Sequence, residues 1–286
     1  MALFKVSEPE EIDMSFWEHL DELRNSLIRM VIAVLACAIV VFCFKDVLFD
    51  IVLAPRNDGF VTYRLLQRIA DCFTGAGEGS AMVPVGVRLI NTGLAQQFLI
   101  HVKTSAYAGL MLASPYVIYL LFRFVSPALY QSERRYALQL VSGGYVMFML
   151  GVLLSYFLIF PLTFRFLGTY QVSDVVENTV TIDSYIDTLM MISMSMGLVF
   201  EIPVVCWIMG RMGVIDAGMM RHYRRHVIVV LLITGAIITP TADVFTLMLV
   251  SMPMWLLYEF SICLVGGISP KRQDNCCDEI TAKDTP

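Results

Sequence analysis

The chain has 286 residues, of which 57% are hydrophobic and only 16% are charged. A soluble domain carries about 25% charged residues, and apolar stretches of about 20 residues, long enough to cross a bilayer, recur along this chain. These properties exclude a soluble globular protein and predict an all-α integral membrane protein. The net charge of −5 excludes little, because the distribution of charge among the loops matters more than its sum.

Six transmembrane helices are predicted within a single membrane domain, residues 1–268. Their approximate ranges are 25–46, 102–123, 136–160, 184–210, 226–239 and 244–266. The third stops before Pro161, where a loop is expected to begin. The fifth would rise only about 21 Å, whereas a hydrocarbon core is about 30 Å thick. It therefore either extends through residues 222–225 or lies where the bilayer is thinned. Residues 269–286 form a polar tail that is predicted to be disordered and cytoplasmic.

Lysine and arginine indicate the orientation. With the N-terminus inside, 13 of the 20 basic residues lie on the cytoplasmic side. The other seven are Lys45, Arg56, Arg64, Arg68, Arg88, Lys103 and Arg165. The excess of basic residues on the inner side predicts that both termini are cytoplasmic. Between the first two spans, the segment VTYRLLQRIA has helical spacing, which predicts a helix along the outer membrane surface.

The first span follows an acidic stretch, FWEHLDELRNSL, residues 16–27. Its leucines form one apolar stripe of a helix, whereas Glu18, Asp21 and Glu22 lie opposite and Arg24 lies on a flank. Ser15 and Glu18 fit a capping box, and acids stabilise the first turn of a helix, which explains Glu18. This effect explains Glu22 less well, because Glu22 lies a turn further into the helix. A helix on a lipid surface is usually basic on its polar face, so the acidic face favours a cationic partner.

A second acid precedes the third span. Glu133 stands directly before two arginines in the loop RFVSPALYQSERR, residues 123–135. It is either an ordinary helix-start acid or a carboxylate with an apolar and aromatic rim formed by Phe124, Pro127 and Tyr130. In the second interpretation, Glu22 and Glu133 hold a pair of guanidinium groups, because arginine donates bidentate hydrogen bonds to carboxylates.

Three further acids lie in or near the spans. Glu201, in GLVFEIPVV, is costly inside a membrane and must face a partner or water. Pro203 follows it and frees a carbonyl of the preceding turn, which predicts a local kink and a polar recess. Asp243 is interpreted as the N-cap of the sixth span rather than as a functional group. Glu259 lies a turn or two from the inner end of that span.

The histidines and cysteines show no spacing typical of metal ligands, catalytic pairs or a disulfide framework. His19, His101, His222 and His226 show no ligand spacing for a metal, and none of them pairs with a nucleophile. There is also no glycine-rich nucleotide-binding loop and no nucleophile elbow. We therefore predict no metal, no cofactor, no nucleic-acid partner and no enzymatic activity.

Several motifs together resemble the TatC family, the multispanning receptor subunit of the twin-arginine protein translocase. They are HLDELR, SPYVIYLLFRFVSPALYQSERR, FPLTFRF, FEIPV and ITPTADVF…PMWLLYEFSI, in order over residues 14–265. The resemblance implies a cup of six tilted helices in the cell inner (cytoplasmic) membrane. It implies recognition of twin-arginine signal peptides of folded cargo at the cytoplasmic face, single-span TatA-type and TatB-type partners, self-association, and energy from the protonmotive force.

The resemblance also assigns residues. Glu22, Phe124 and Glu133 match the recognition residues of the family, and Glu201 matches the acid of its membrane-embedded concave face. His19, Arg24, Pro127 and Tyr130 surround these positions in the same motifs. The chain departs from the family at Leu247, where glutamine is common, so a polar contact to a partner helix is either absent or supplied by another residue such as Thr246.

Two other functions remain possible interpretations of the residues. A proton-coupled transporter of small solutes would use Glu201 as its proton carrier, but the chain shows no inverted repeat and no pair of broken helices. An intramembrane hydrolase would need a nucleophile with a base, or a metal site, and neither pattern is present.

Overall fold

The computed structural model describes residues 16–57, 59–74, 88–125, 137–170, 179–239 and 243–268. This part of the chain is mostly helical, as predicted, with one pair of three-residue strands. The helices are α1 (Phe16–Cys43), α2 (Lys45–Leu53), α3 (Val61–Thr74), α4 (Gln96–Val125), α5 (Ala137–Leu154), α6 (Phe160–Thr169), α7 (Ile182–Val199), α8 (Ile202–Arg211), α9 (Ala217–His222), α10 (Arg224–Ile238) and α11 (Val244–Ile268). The strands are β1 (Arg88–Ile90) and β2 (Thr179–Thr181).

Among the described residues, five helical segments are long and apolar enough to cross a membrane. They are Leu20–Cys43, Gln96–Phe124, Val141–Thr169, Ile182–Arg211 and Val244–Gly267. The predicted fifth span corresponds to α10, which has only 15 residues and rises about 22 Å. The expected extension of this span through residues 222–225 reaches Arg224 only, because His222 belongs to α9.

The third span does not end at Pro161, so the prediction of a loop there is wrong. The chain passes through a single π-helical turn, Ser155–Ile159, and stays helical through α6 to Thr169. Pro161 has no N–H for the carbonyl four residues earlier, that of Phe157. The hydroxyl of Thr62, in α3, donates to this carbonyl instead. Thr62, which is 95 positions from Phe157 in the chain, therefore supplies the donor that the proline lacks.

The fourth span is interrupted where the sequence predicts a kink. Helix α7 ends at Val199 and α8 begins at Ile202, with Pro203 in its first turn. Proline is well tolerated at this position, since the first N–H groups of a helix have no partner within the helix. Glu201 lies in the break itself, directly before α8.

The helices pack closely at small residues. A Cβ atom on Gly109 of α4 would lie 2.5 Å from the backbone nitrogen of Ala38 in α1. Likewise, a Cβ on Gly151 of α5 would lie 2.6 Å from the carbonyl oxygen of Met196 in α7. Small residues let backbones approach in a membrane, where packing rather than water drives helix association. The α1–α4 and α5–α7 crossings therefore each depend on a glycine.

We call the end of the bundle where α1 ends and α4 begins the cap end, and the opposite end the Glu22 end. At the cap end, β1 pairs in parallel with β2, from Arg88 opposite Thr179 to Ile90 opposite Thr181. Helix α3, the predicted surface helix, docks here through Tyr63, which is 2% exposed. Its hydroxyl donates to the carbonyls of Pro55 and Pro161 at 3.2 and 3.1 Å.

Ion pairs join neighbouring helices towards both ends of the bundle. At the cap end, Lys103 of α4 pairs with Asp187 of α7 at 2.6 Å and with Asp183 at 3.3 Å. Towards the Glu22 end, Arg224 pairs with Glu259 at 2.6 Å, which joins α10 to α11. Asp187 and Glu259, two acids within the predicted spans, therefore each have a basic partner, which lowers the cost of a charge in a membrane.

Asp243 caps α11, as predicted. Its Oδ2 atom accepts hydrogen bonds from the backbone N–H of Thr246 at 2.8 Å and from the Thr246 hydroxyl at 2.7 Å. The first N–H groups of a helix otherwise lack a partner, which explains the acid at this turn without a functional role.

Candidate functional site

Glu22 lies in the second turn of α1, opposite the leucine stripe of this helix. The leucine stripe faces outward: Leu20, Leu23 and Leu27 are 39%, 40% and 59% exposed. Glu22 is half-buried, and Ser26, one turn later on the same face, is only 9% exposed. Glu22 and Ser26 therefore face the protein, whereas the leucine stripe is open on the outside of the bundle.

One oxygen of the Glu22 carboxyl group has no partner among the described residues. Its Oε2 atom is buried and accepts no hydrogen bond there. A buried acceptor without a donor costs about 1–3 kcal/mol, more when it is charged. Asp21 and Arg24 beside it are exposed. Among the acids of this stretch whose side chains the structure describes, Glu22 is the one with a buried oxygen available to a donor from outside the described chain.

Phe124 brings an aromatic side chain to the same end of the bundle. It lies in the last turn of α4, the helix that packs along α1, and it is half-buried. Pro127, Tyr130 and Glu133 lie outside the described residues, as does the side chain of His19. The pairing of Glu22 with Glu133 across one site therefore stays a prediction.

Glu201 faces a recess between α4, α5 and the α7–α8 break. A Cβ atom on Gly144 would lie 3.2 Å from Glu201 Oε2 and 3.0 Å from the ring of Phe122. The second carboxyl oxygen, Oε1, is buried and has no partner among the described residues. The absence of a side chain at Gly144 thus leaves room for both the carboxyl group and the ring.

Sequence reasoning missed Gly144 and Phe122 as neighbours of this acid. A glycine pair, Gly143–Gly144, in an otherwise apolar span was a usable signal, since small residues often mark close approach. Phe122 lies two residues before Phe124 on α4. The Glu201 recess and Phe124 therefore both lie near the C-terminal end of α4.

Glu201→Leu is expected to raise the stability of the isolated protein by about 1–3 kcal/mol, because it removes a buried oxygen that lacks a donor. Thermal unfolding of the purified protein in detergent measures the change as a higher midpoint. Glu259→Leu is the matched control, since the Glu259 carboxylate is paired with Arg224, and its midpoint is expected to stay equal or fall. A lower midpoint for Glu201→Leu would contradict the unpartnered state of this group.

Thr246 does not replace the missing glutamine at position 247 as a contact for a partner. It is fully buried, and its hydroxyl donates to Asp243. Leu247 packs towards Gly235 of α10, where a Cβ atom would lie 3.2 Å from its Cδ1. Thr246 and Leu247 are therefore both engaged in contacts within the chain. Among the described residues there is also no group of three or more side chains that could hold a metal ion.

The geometry defines a multi-pass helical membrane protein with half-buried carboxyl groups at one end and at a helix break. The family model of TatC, Sec-independent protein translocase protein, matches residues 18–253. The chain belongs to the TatC family, whose members are components of a Sec-independent, twin-arginine protein translocase.

Two curated relatives illustrate the match. The Sec-independent protein translocase protein TatC of Blattabacterium sp. subsp. Periplaneta americana is 32% identical over 92% of this chain and 99% of its own. That of Desulforapulum autotrophicum is 34% identical over 93% of this chain and 89% of its own.

Two solved structures share the fold. A crystal structure of the twin arginine translocase receptor TatC is 32% identical, with a TM-score of 0.68, over 87% of this chain and 98% of that one. A second, in DDM, is 33% identical with a TM-score of 0.70, over 86% of this chain and 99% of that one.

Proposed function

We propose that this chain is the signal-peptide receptor of a twin-arginine translocase. It binds twin-arginine signal peptides at the cytoplasmic face and, with TatA-type and TatB-type single-span subunits, exports folded proteins by means of the protonmotive force. It carries out no enzymatic reaction. The observation that carries the proposal is the likeness, over 87% of the chain, to a solved twin arginine translocase receptor.

The proposed topology has six spans in the cell inner membrane, with α10 as the short fifth span, arranged as a cup with both termini cytoplasmic. The basic residues support this orientation, because they are in excess on the side of the Glu22 end. The short length of α10 supports a locally thinned bilayer around α10 and α11, since a short span is accommodated by thinning.

In the proposed site, Glu22 and Glu133 each accept a bidentate hydrogen bond from one arginine of the signal peptide. The buried, unpartnered oxygen of Glu22 supports this role, because a guanidinium group supplies the donor it lacks. Phe124, with Pro127 and Tyr130, forms the apolar rim over which the peptide passes, and His19 and Arg24 border it. The apolar part of the signal peptide then lies towards the Glu201 recess.

A photo-crosslinking amino acid at Phe124 tests this proposal. We expect it to capture a twin-arginine signal peptide and to capture a twin-lysine version much less, because an ammonium group cannot make the bidentate contacts of arginine. The same probe at Phe98 is the control, since Phe98 lies on the same helix at the cap end and is 63% exposed. Equal capture at both positions, or of both peptides, would contradict the receptor site.

A further inference from the structure

An apolar groove opens on the outside of the bundle towards the cap end, away from the proposed peptide site. It has a volume of about 620 Å³, within the range of about 300–1,000 Å³ for ligand sites. Its walls are the end of α1 with α2, the middle of α4, and the π-helical turn after α5. Its floor includes Leu189 and Met190 of α7, which are 3% and 5% exposed.

The walls of the groove are open to the membrane. Val47 of α2 and Leu112 of α4 line it and are 58% and 61% exposed. The groove ends under the cap: Tyr156 lines it, donates its hydroxyl proton to the carbonyl of Ile51 at 2.6 Å, and packs its ring against Phe60 before α3. The groove is therefore a slot in the lipid-facing surface that is closed by the cap and apolar along its length.

The lining of the groove favours a lipid chain, because nearly all of its side chains are apolar. A single acyl chain is narrow, flexible and apolar, so it matches the walls. If the groove were empty, its lining atoms would lack van der Waals contacts on one side.

Two basic residues lie at the ends of α2, which forms part of the wall of the groove. Lys45 directly follows Phe44, a lining residue, and Arg56 follows α2 in the short 3-10 turn Ala54–Arg56. Both are exposed, and within the described part of the chain neither forms an ion pair. The acids of α2, Asp46 and Asp50, lie on the side of the helix opposite its lining residues, as a rotation of 100° per residue requires.

These basic residues are also unexplained by the proposed topology. Lys45 and Arg56 belong to the minority on the outer side, where the distribution of lysine and arginine in membrane proteins does not favour them. A function at that position accounts for their presence. An anionic lipid surface attracts each nearby basic side chain by about 1 kcal/mol.

We propose that this groove is a binding site for an anionic phospholipid, which lays one acyl chain in the groove while its head group is attracted to Lys45 and Arg56. The lipid fills the slot beneath α3 and bridges α2, α4 and the π-helical turn. This site is independent of the proposed receptor function, because it lies towards the opposite end of the bundle from Glu22.

Native mass spectrometry of the full chain in detergent tests the site with two lipids of identical acyl chains, phosphatidylglycerol and phosphatidylcholine. We expect retained phosphatidylglycerol to exceed phosphatidylcholine. Leu112→Trp fills the groove and is expected to lower the retention of both lipids. Lys45→Gln with Arg56→Gln is expected to lower phosphatidylglycerol alone, by about fivefold for each charge removed.

Matched variants separate the site from general effects. Leu35→Trp places the same ring on α1 at a residue that is 56% exposed and outside the groove. Arg221→Gln with Arg225→Gln removes two exposed charges near the start of α10. Both are expected to retain lipid as the unchanged chain does. Equal retention of the two lipids by the unchanged chain, or equal losses in the control and groove variants, would overturn the proposal. A Leu112→Trp chain that keeps its lipid but no longer associates with a second copy would assign the groove to that copy instead.

Discussion

Glu22→Gln is expected to weaken the binding of a twin-arginine signal peptide by about tenfold or more. A hydrogen bond to a charged group contributes about 1.5–3 kcal/mol, and each 1.4 kcal/mol is a factor of ten in affinity. The amide keeps the size of the side chain but offers only one acceptor oxygen, so the bidentate contact is lost. Fluorescence anisotropy of a labelled peptide, with the protein in lipid nanodiscs, measures the change.

Asp21→Asn is the control for Glu22→Gln. Asp21 is the preceding residue and is exposed, so the substitution removes the same charge from the same turn without removing the half-buried acceptor. Its affinity is expected to stay within about twofold, the usual range for a surface change. Equal losses for the two variants would show that only the summed charge of the acidic stretch matters, and would contradict a specific role for Glu22.

Gly109→Ala is expected to destabilise the protein by about 1–3 kcal/mol, the usual cost of adding atoms to a closely packed contact. The added methyl group would lie 2.5 to 2.8 Å from three atoms of Ala38, two of them backbone atoms. Relief requires α1 to move away from α4. Because α1 carries Glu22 and α4 carries Phe124, we also expect weaker peptide binding. Thermal unfolding of the purified protein and the anisotropy assay measure the two effects.

Gly143→Ala provides the comparison for Gly109→Ala. A Cβ atom on Gly143 meets nothing within 4 Å, and alanine favours a helix over glycine by up to about 1 kcal/mol. This variant is expected to be as stable as the unchanged protein, or slightly more stable, with unchanged peptide affinity. A Gly109→Ala protein as stable as Gly143→Ala would show that α1 and α4 do not depend on this close approach.

Much of the fold follows from local sequence signals. Long apolar runs identify the five helical segments that are long enough to cross a membrane, because membrane spans must satisfy their backbone hydrogen bonds internally. Pro203 predicts the break between α7 and α8, and Asp243, an acid at the turn before the sixth span, predicts the N-cap of α11. These features depend on a few neighbouring residues, which a single sequence displays directly.

Features that depend on distant contacts could not be predicted in this way. Pro161 normally ends a helix, but the chain stays helical through a π-helical turn, and the hydroxyl of Thr62 supplies a donor to the carbonyl of Phe157. The inward orientation of Glu22 depends on the packing of α1 against α4, whereas its helical wheel shows only that acids and leucines lie opposite. The Glu201 recess likewise requires Gly144 and Phe122 from two other helices. In each case the deciding partner is far away in the chain.

The most direct test of the receptor proposal is a double-mutant cycle between the carboxyl groups and the peptide. Glu22→Gln and Glu133→Gln are each combined with a peptide in which one arginine of the pair is replaced by glutamine, and binding is measured for every combination. In a two-carboxylate site, each carboxyl group is expected to couple with one arginine by at least about 1 kcal/mol. Losses that simply add, within about 0.3–0.5 kcal/mol for all four pairs, would contradict a two-carboxylate site for the arginine pair.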